Sequence, residues 1–123
     1  MSITPQDEAR VLDLVPKGIY VNGEWRDSSD KSVIDVIDPA TGKVLAQVAN
    51  ATPQDGQDAL TAAHNAQADW AKTSPRSRAE ILRKAFDKVT QMADEFAILM
   101  ALEMGKPVAE ARGEVAYGSE FLR

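Results

Sequence analysis

The sequence predicts an α+β polypeptide in which two N-terminal β-hairpins precede three to four helices. Three observations carry that expectation. Asn22-Gly23, the dipeptide best suited to two consecutive positive φ angles, sits between Ile19-Tyr20-Val21 and Glu24-Trp25-Arg26, as in a two-residue hairpin turn. A β-branched run (Val33, Ile34, Val36, Ile37) leads into Asp38-Pro39-Ala40-Thr41-Gly42, where proline fixes one φ and glycine admits a positive one. From Ile81 to Met100 the apolar residues recur in steps of three and four, the spacing of a helix with one buried face.

Taken in order, residues 1–17 form a polar lead-in in which Thr4-Pro5 opens a short helix carrying Val11, Leu12 and Val15 on one side. The hairpins occupy 19–48, the second closing with Val44, Ala46 and Val48 alternating against Leu45 and Gln47. Thr52 then caps a helix over about 53–71. Pro53 takes its first turn, and Asp55 lies three residues after the cap, near the positive end of the helix dipole. Its inward face is expected to be Ala59, Leu60, Ala63, Ala66, Gln67 and Trp70. The next helical segment is expected over 75–104, with Ser74-Pro75 as one opening and Ser77 with Glu80 as a second, capping-box opening. Asp94-Glu95 offers a restart within it, and Gly105 supplies the left-handed residue that ends helices. Phe86 lies in the middle of the expected buried stripe. A final helix over 107–123 carries Val108, Ala111, Val115, Gly118, Ser119 and Leu122 along one side.

Composition narrows the function classes. The 123 residues suit one domain, but large apolar residues are few (3 Phe, 2 Trp, 2 Tyr) and much of the 44% hydrophobic fraction is alanine. Helix faces are therefore shallow and need close partners. A net charge of −5 without a cluster of Lys and Arg argues against nucleic-acid binding. Arg76, Arg78, Arg83 and Lys84 alternate with Glu80 and Asp87, which reads as a solvated helix face. With no cysteine, the sequence offers no disulfide, thiolate metal site or thiol nucleophile. The first residues lack the basic and apolar regions of a secretory signal, and no run approaches membrane-spanning length. A cytoplasmic protein is the simplest expectation, with no membrane partner, and Asn50-Ala51-Thr52 is then an incidental sequon. His64, the single histidine, reads as a helix residue rather than a catalytic one, and Tyr20, Trp25 and Trp70 as packing residues between sheet and helices. No closely spaced glycines form a dinucleotide or phosphate loop, so no cofactor-binding residue is assigned.

The segment Leu102-Glu103-Met104-Gly105-Lys106-Pro107-Val108-Ala109-Glu110-Ala111, with Gly18-Ile19-Tyr20-Val21-Asn22-Gly23-Glu24-Trp25 and Asp38-Pro39-Ala40-Thr41-Gly42-Lys43-Val44-Leu45 before it, resembles the aldehyde dehydrogenase superfamily. The likeness runs from about Lys17 to Arg123. Gly113 to Arg123 is most similar to the succinate-semialdehyde branch. The resemblance implies that residues 18–123 are the N-terminal part of the cofactor-binding domain in the family's α/β fold. It also implies a longer parent enzyme that oxidises an aldehyde with NAD or NADP. In that chemistry a cysteine thiolate attacks the aldehyde and a glutamate assists hydrolysis of the thioester. This sequence has no cysteine, so no catalytic residue is assigned and the piece alone is expected to be inactive and to hold no cofactor. For Glu103 two roles stay open. One is a ligand of a structural monovalent cation, together with main-chain carbonyls at about Val36-Ile37. The other is a glutamate near a helix end. The expected partners are a small-molecule aldehyde for the parent and further copies of the chain in a homo-oligomer. Self-association of the piece is expected through Val108, Ala111, Val115, Leu122, Phe96 and Met100, left uncovered. The competing reading is a free-standing helical module that binds a protein partner.

Overall fold

A computed structural model describes residues 3–123, which fall into two compact units. One unit comprises the stretch up to Val15, Ile37–Leu45 and Ser74–Arg123, and the other comprises Pro16–Val36 and Ala46–Thr73.

The first unit is helical. α1 (Pro5–Leu14) opens with a reciprocal cap, in which Thr4 Oγ1 accepts from the Asp7 amide at 3.2 Å and the Asp7 carboxylate accepts from the Thr4 amide at 3.1 Å. Val11 is the residue that this helix buries, with Leu12 and Val15 partly covered. The segment expected over 75–104 is two helices, α3 (Pro75–Gln91) and α4 (Ala93–Met104). Met92, at φ −102° and ψ 21°, leaves helical geometry and ends one as it begins the other. Asp94-Glu95 then sits in the first turn of α4, where negative charge is favoured. At the start of α3 the cap is Ser74, which accepts from the Ser77 amide at 3.1 Å; the alternative opening at Ser77 and Glu80 is not used. Gly105 ends α4 at φ 70°. A side chain there would be strained and would also meet Pro39 Cγ at 3.1 Å. α5 (Val108–Ser119) follows, finishing in a 3₁₀ turn over Glu120–Leu122.

α4 is the hub of this unit. Ala97 and Ala101 face Val108, Ala111 and Val115 of α5, and small side chains on both helices permit close approach. Another side of α4 presents Ile98 and Leu102 to Val11 of α1, with Leu45 and Leu99 packed beside them. Ion pairs edge the same contacts, Arg10 to Glu95 at 2.7 Å and Arg112 to Asp94 at 2.9 Å. This corrects the expectation that Val108, Ala111 and Val115 are left uncovered, because α4 itself covers them. It also corrects the stripe of α3. Ile81 and Leu82 are exposed and Phe86 is only half buried, so the deepest part of the unit lies on α4 instead.

In the second unit, β1 (Ile19–Val21) and β2 (Glu24–Arg26) pair antiparallel with Tyr20 opposite Trp25. The turn has Asn22 at φ 52° and Gly23 at φ 85°, the two positive angles that the dipeptide predicts. β3 (Val33–Ile37) and β4 (Val44–Ala49) make a separate two-stranded ribbon, whose tip belongs to the first unit. In that tip Asp38 accepts from the Ala40 amide at 2.8 Å and from the Thr41 hydroxyl at 2.7 Å. β4 departs from strict alternation, with Leu45 and Ala46 both half-buried and Val44 exposed. α2 (Pro53–Lys72) lies against β1.

Leu102→Ala is expected to cost about 2–5 kcal/mol in urea unfolding followed by circular dichroism. Phe86→Ala is expected to cost less than that, since its ring is already part-solvated. Equal losses for the two variants would place the core on α3 rather than α4.

Candidate functional site

The best-defined polar centre lies in the second unit, at the start of α2. Thr52 is extended, and its hydroxyl accepts from the Asp55 amide at 3.2 Å. That geometry turns the Asp55 side chain back, so that Oδ2 accepts from the Thr52 amide (2.9 Å), the Thr52 hydroxyl (2.9 Å) and the Ser29 amide (3.1 Å). The Ser29 hydroxyl adds a longer bond at 3.3 Å. Oδ1 lies 2.9 Å from Arg26 Nη1, without the alignment of a hydrogen bond, so this contact is an ionic attraction. The other guanidinium nitrogen reaches Asp58 Oδ2 at 3.3 Å, and Asp58 is held in turn by Gln54 at 2.9 Å. Only 1% of the Asp55 side chain is exposed.

Hydrogen bonds from Thr52 and then Ser29, with Arg26 beside them, outweigh the cost of burial and hold this carboxyl far below the usual carboxylate range. A carboxylate so stabilised in its charged form is a poor proton acceptor for chemistry. Its role is to fasten. Asp55 ties strand β2, through Arg26, and the loop after it, through Ser29, to the first turn of α2. The Thr52-x-x-Asp55 spacing announces the cap in the sequence, but Arg26 as its partner is not readable there.

The other candidates are placed as follows. Glu103 is exposed on the last turn of α4, and its carboxylate has no protein partner among the described residues. Val36 is half-buried and Ile37 exposed, both near the end of β3. Among the described residues no three His, Cys, Asp or Glu side chains cluster as a metal site. Glu103 thus offers a single carboxylate, which by itself is an incomplete ligand set for a hard cation. His64 is exposed, on an open groove of about 440 Å³ along α2 lined also by Leu60, Ala63, Gln67 and Trp70.

Here the structure overturns an expected face. Leu60 is 64% exposed and Trp70 48%, so most of the stripe expected to point inward on α2 is open, with only Ala59 half-buried. Tyr20 and Trp25 pack on one another, ring centroids 5.1 Å apart, and both stay more than half exposed, with Tyr20 bordering a recess shared with Ala59, Ala62, Ala63 and Ala66 of α2. α2 is fastened at its start by polar bonds, while Leu60 and Trp70 line an open groove on it.

Because the folded value of Asp55 is depressed, its contribution to stability is complete above the ordinary value near 3.8 and is lost as pH falls through the lower folded value. Trp25 and Trp70 both lie in this unit, so their fluorescence should report acid loosening. Asp55→Asn should weaken the dependence of this unit's stability on pH over that interval, leaving what Asp30, also held below its ordinary value by Ser32, contributes. Thr52→Ala should cost about 0.5–2 kcal/mol at neutral pH through the lost cap. An Asp55→Asn protein with the parent's acid profile would show that other carboxylates set it.

The sequence signature of the aldehyde dehydrogenase family matches residues 25–123. A succinate-semialdehyde dehydrogenase of Paenarthrobacter nicotinovorans is 65% identical over 80 residues, which are 65% of this chain and 18% of that protein. The NADP-dependent succinate-semialdehyde dehydrogenase of Escherichia coli K12 is 39% identical over 102 residues, 83% of this chain and 21% of the relative. The crystal structure of a succinate-semialdehyde dehydrogenase from Burkholderia pseudomallei superposes with a TM-score of 0.86 at 38% identity, over 89% of this chain and 23% of its own. The chain spans about a fifth of the length of these relatives. With the signature, the two hairpins and the five helices in agreement, the chain belongs to the aldehyde dehydrogenase family, of whose fold it forms the N-terminal part.

Proposed function

We propose that this polypeptide is the N-terminal portion of a cytoplasmic, NAD(P)-dependent enzyme that oxidises succinate semialdehyde to succinate. The observation that carries the substrate is the 65% identity to a succinate-semialdehyde dehydrogenase. Within that reading, residues 18–123 frame the cofactor-binding domain and 1–17 lead into it. The cofactor and the aldehyde are held by the remainder of the enzyme. The absent cysteine supports this division of labour, since nothing in the sequence supplies the thiolate that the family's chemistry needs. Glu103, with the carbonyls of Val36 and Ile37, stays a proposed contributor to a structural cation whose other ligands come from elsewhere in the enzyme. Nucleic acid and membranes have no part in the proposal. Among the described residues no helix is long and apolar enough to cross a membrane.

Assembly into a homo-oligomer belongs to the same proposal. Its support is the apolar surface left open at Leu60, Trp70, Ile81, Leu82, Tyr117 and Phe121. The open face of α2 is also what favours the competing reading, a free-standing module that docks a protein.

The purified chain should form no NADH or NADPH from succinate semialdehyde, and the polypeptide read from the complete gene should form it readily. Turnover by the purified chain would overturn the division of labour. A folded product of the complete gene that oxidises no semialdehyde would overturn the function itself. Light scattering at tens of micromolar should give a mass above 13.3 kDa for the chain, and a clean monomer would remove the oligomer from the proposal.

A further inference from the structure

The turn of the first hairpin presents a reactive pair. Asn22 and Gly23 are both exposed, at φ 52° and 85°. The ladder pairs Val21 with Glu24, so the two turn residues lie outside it. Gly23 has no side chain to shield its amide nitrogen, and a Cβ built there would meet nothing within 4 Å. An open recess of about 460 Å³ bordered by Asn22, Glu24, Arg26 and Asp58 lets water reach the Asn22 carboxamide. Each strand has three residues, and a two-stranded ribbon that short is marginal in water, so the turn has the freedom to leave its left-handed angles.

We propose that Asn22 is a site of spontaneous deamidation through a cyclic imide with Gly23. The Gly23 amide nitrogen, giving its proton to a base in water, bonds to Asn22 Cγ. The Cγ–NH2 bond breaks, and the nitrogen leaves as ammonia. Water then adds to either carbonyl of the five-membered imide and opens it, so the products are an aspartate or an isoaspartate at position 22. No electron is transferred in any step. The charged groups facing the site are Glu24, Arg26 and Asp58. Because the Gly23 amide must lose its proton to attack, the rate rises with hydroxide. Asn50 and Asn65 are each followed by alanine, whose Cβ crowds the attacking nitrogen, and Asn65 also lies within α2. The isoaspartyl product inserts a methylene into the main chain of the turn and sets a new carboxylate beside Glu24 and Asp58. Both changes oppose the Val21–Glu24 register.

The purified chain, incubated in mildly alkaline buffer and cleaved with trypsin after Lys17 and Arg26, yields a nonapeptide with Asn22 as its sole asparagine. Mass spectrometry should show that peptide gaining about one mass unit within the intact chain, at a rate within about tenfold of the free synthetic nonapeptide. Labelling by an isoaspartyl methyltransferase should mark the isomerised fraction. Gly23→Ala should slow the gain sharply. Because alanine is strained at φ 85°, Asn22→Asp is the second control: it preserves the turn, cannot release ammonia, and should show no gain. Conversion more than about tenfold slower than the free peptide, or equal conversion at Asn50 and Asn65, would overturn the proposal.

Discussion

Close approach of α4 to α5 is the constraint on which the helical unit depends. Large apolar side chains are scarce in this sequence, so burial has to come from area shared between backbones rather than from bulky side chains filling the space between helices. Ala97 and Ala101 on one helix and Ala111 on the other make that possible, with Val108 and Val115 filling what remains. Ile98 and Leu102 then use the other side of α4 for α1. A helix with two apolar sides shows a weaker periodic signal than the strongly amphipathic α3. The stronger stripe belongs to the less buried helix, because amphipathicity measures contrast between faces and not depth.

The second unit solves the same shortage differently. Apart from Ser28 and Asp55 almost nothing in it is fully buried, and its order comes from a polar knot at the start of α2. Each hydrogen bond there is worth little by itself against water. Together they satisfy amides of the loop after β2 and the first turn of α2 that would otherwise be left unpaired, and they point Arg26 at two aspartates. Such a knot is directional where hydrophobic contact is not, so it sets where the helix begins without covering where it ends.

Local chemistry was legible in the sequence wherever two or three adjacent residues suffice. Asn22-Gly23, the Thr52 and Ser74 caps, the Asp38 to Gly42 turn and the glycine end of α4 all lie where the residues place them. Family markers were legible for the same reason, since Leu102 to Ala111 spans the α4–α5 corner in one unbroken stretch. What the sequence withheld is pairing at a distance. Nothing adjacent to Asp55 points to Arg26, and nothing in α5 says that α4 is its cover. The open face of α2 was misjudged because a stripe of Leu60 and Trp70 looks the same whether or not something lies on it. For Glu103 a single acidic residue carries no spacing, so its proposed role came from resemblance alone.

The pairing of α1 with α4 also bears on the order in which the chain acquires structure as it is made. Arg10 meets Glu95 across 85 positions, and Val11 packs on Ile98 and Leu102, so the first helix leaves the ribosome long before its partners exist. Both hairpins, α2 and α3 come out in the interval. The helical unit is therefore a late-closing structure, and α1, at 10 residues, is too short to hold its helix firmly before α4 covers it. Loop closure over that distance costs chain entropy, which is not offset until α4 is complete. The segment around Val11 thus lies far in sequence from the residues that finally bury it.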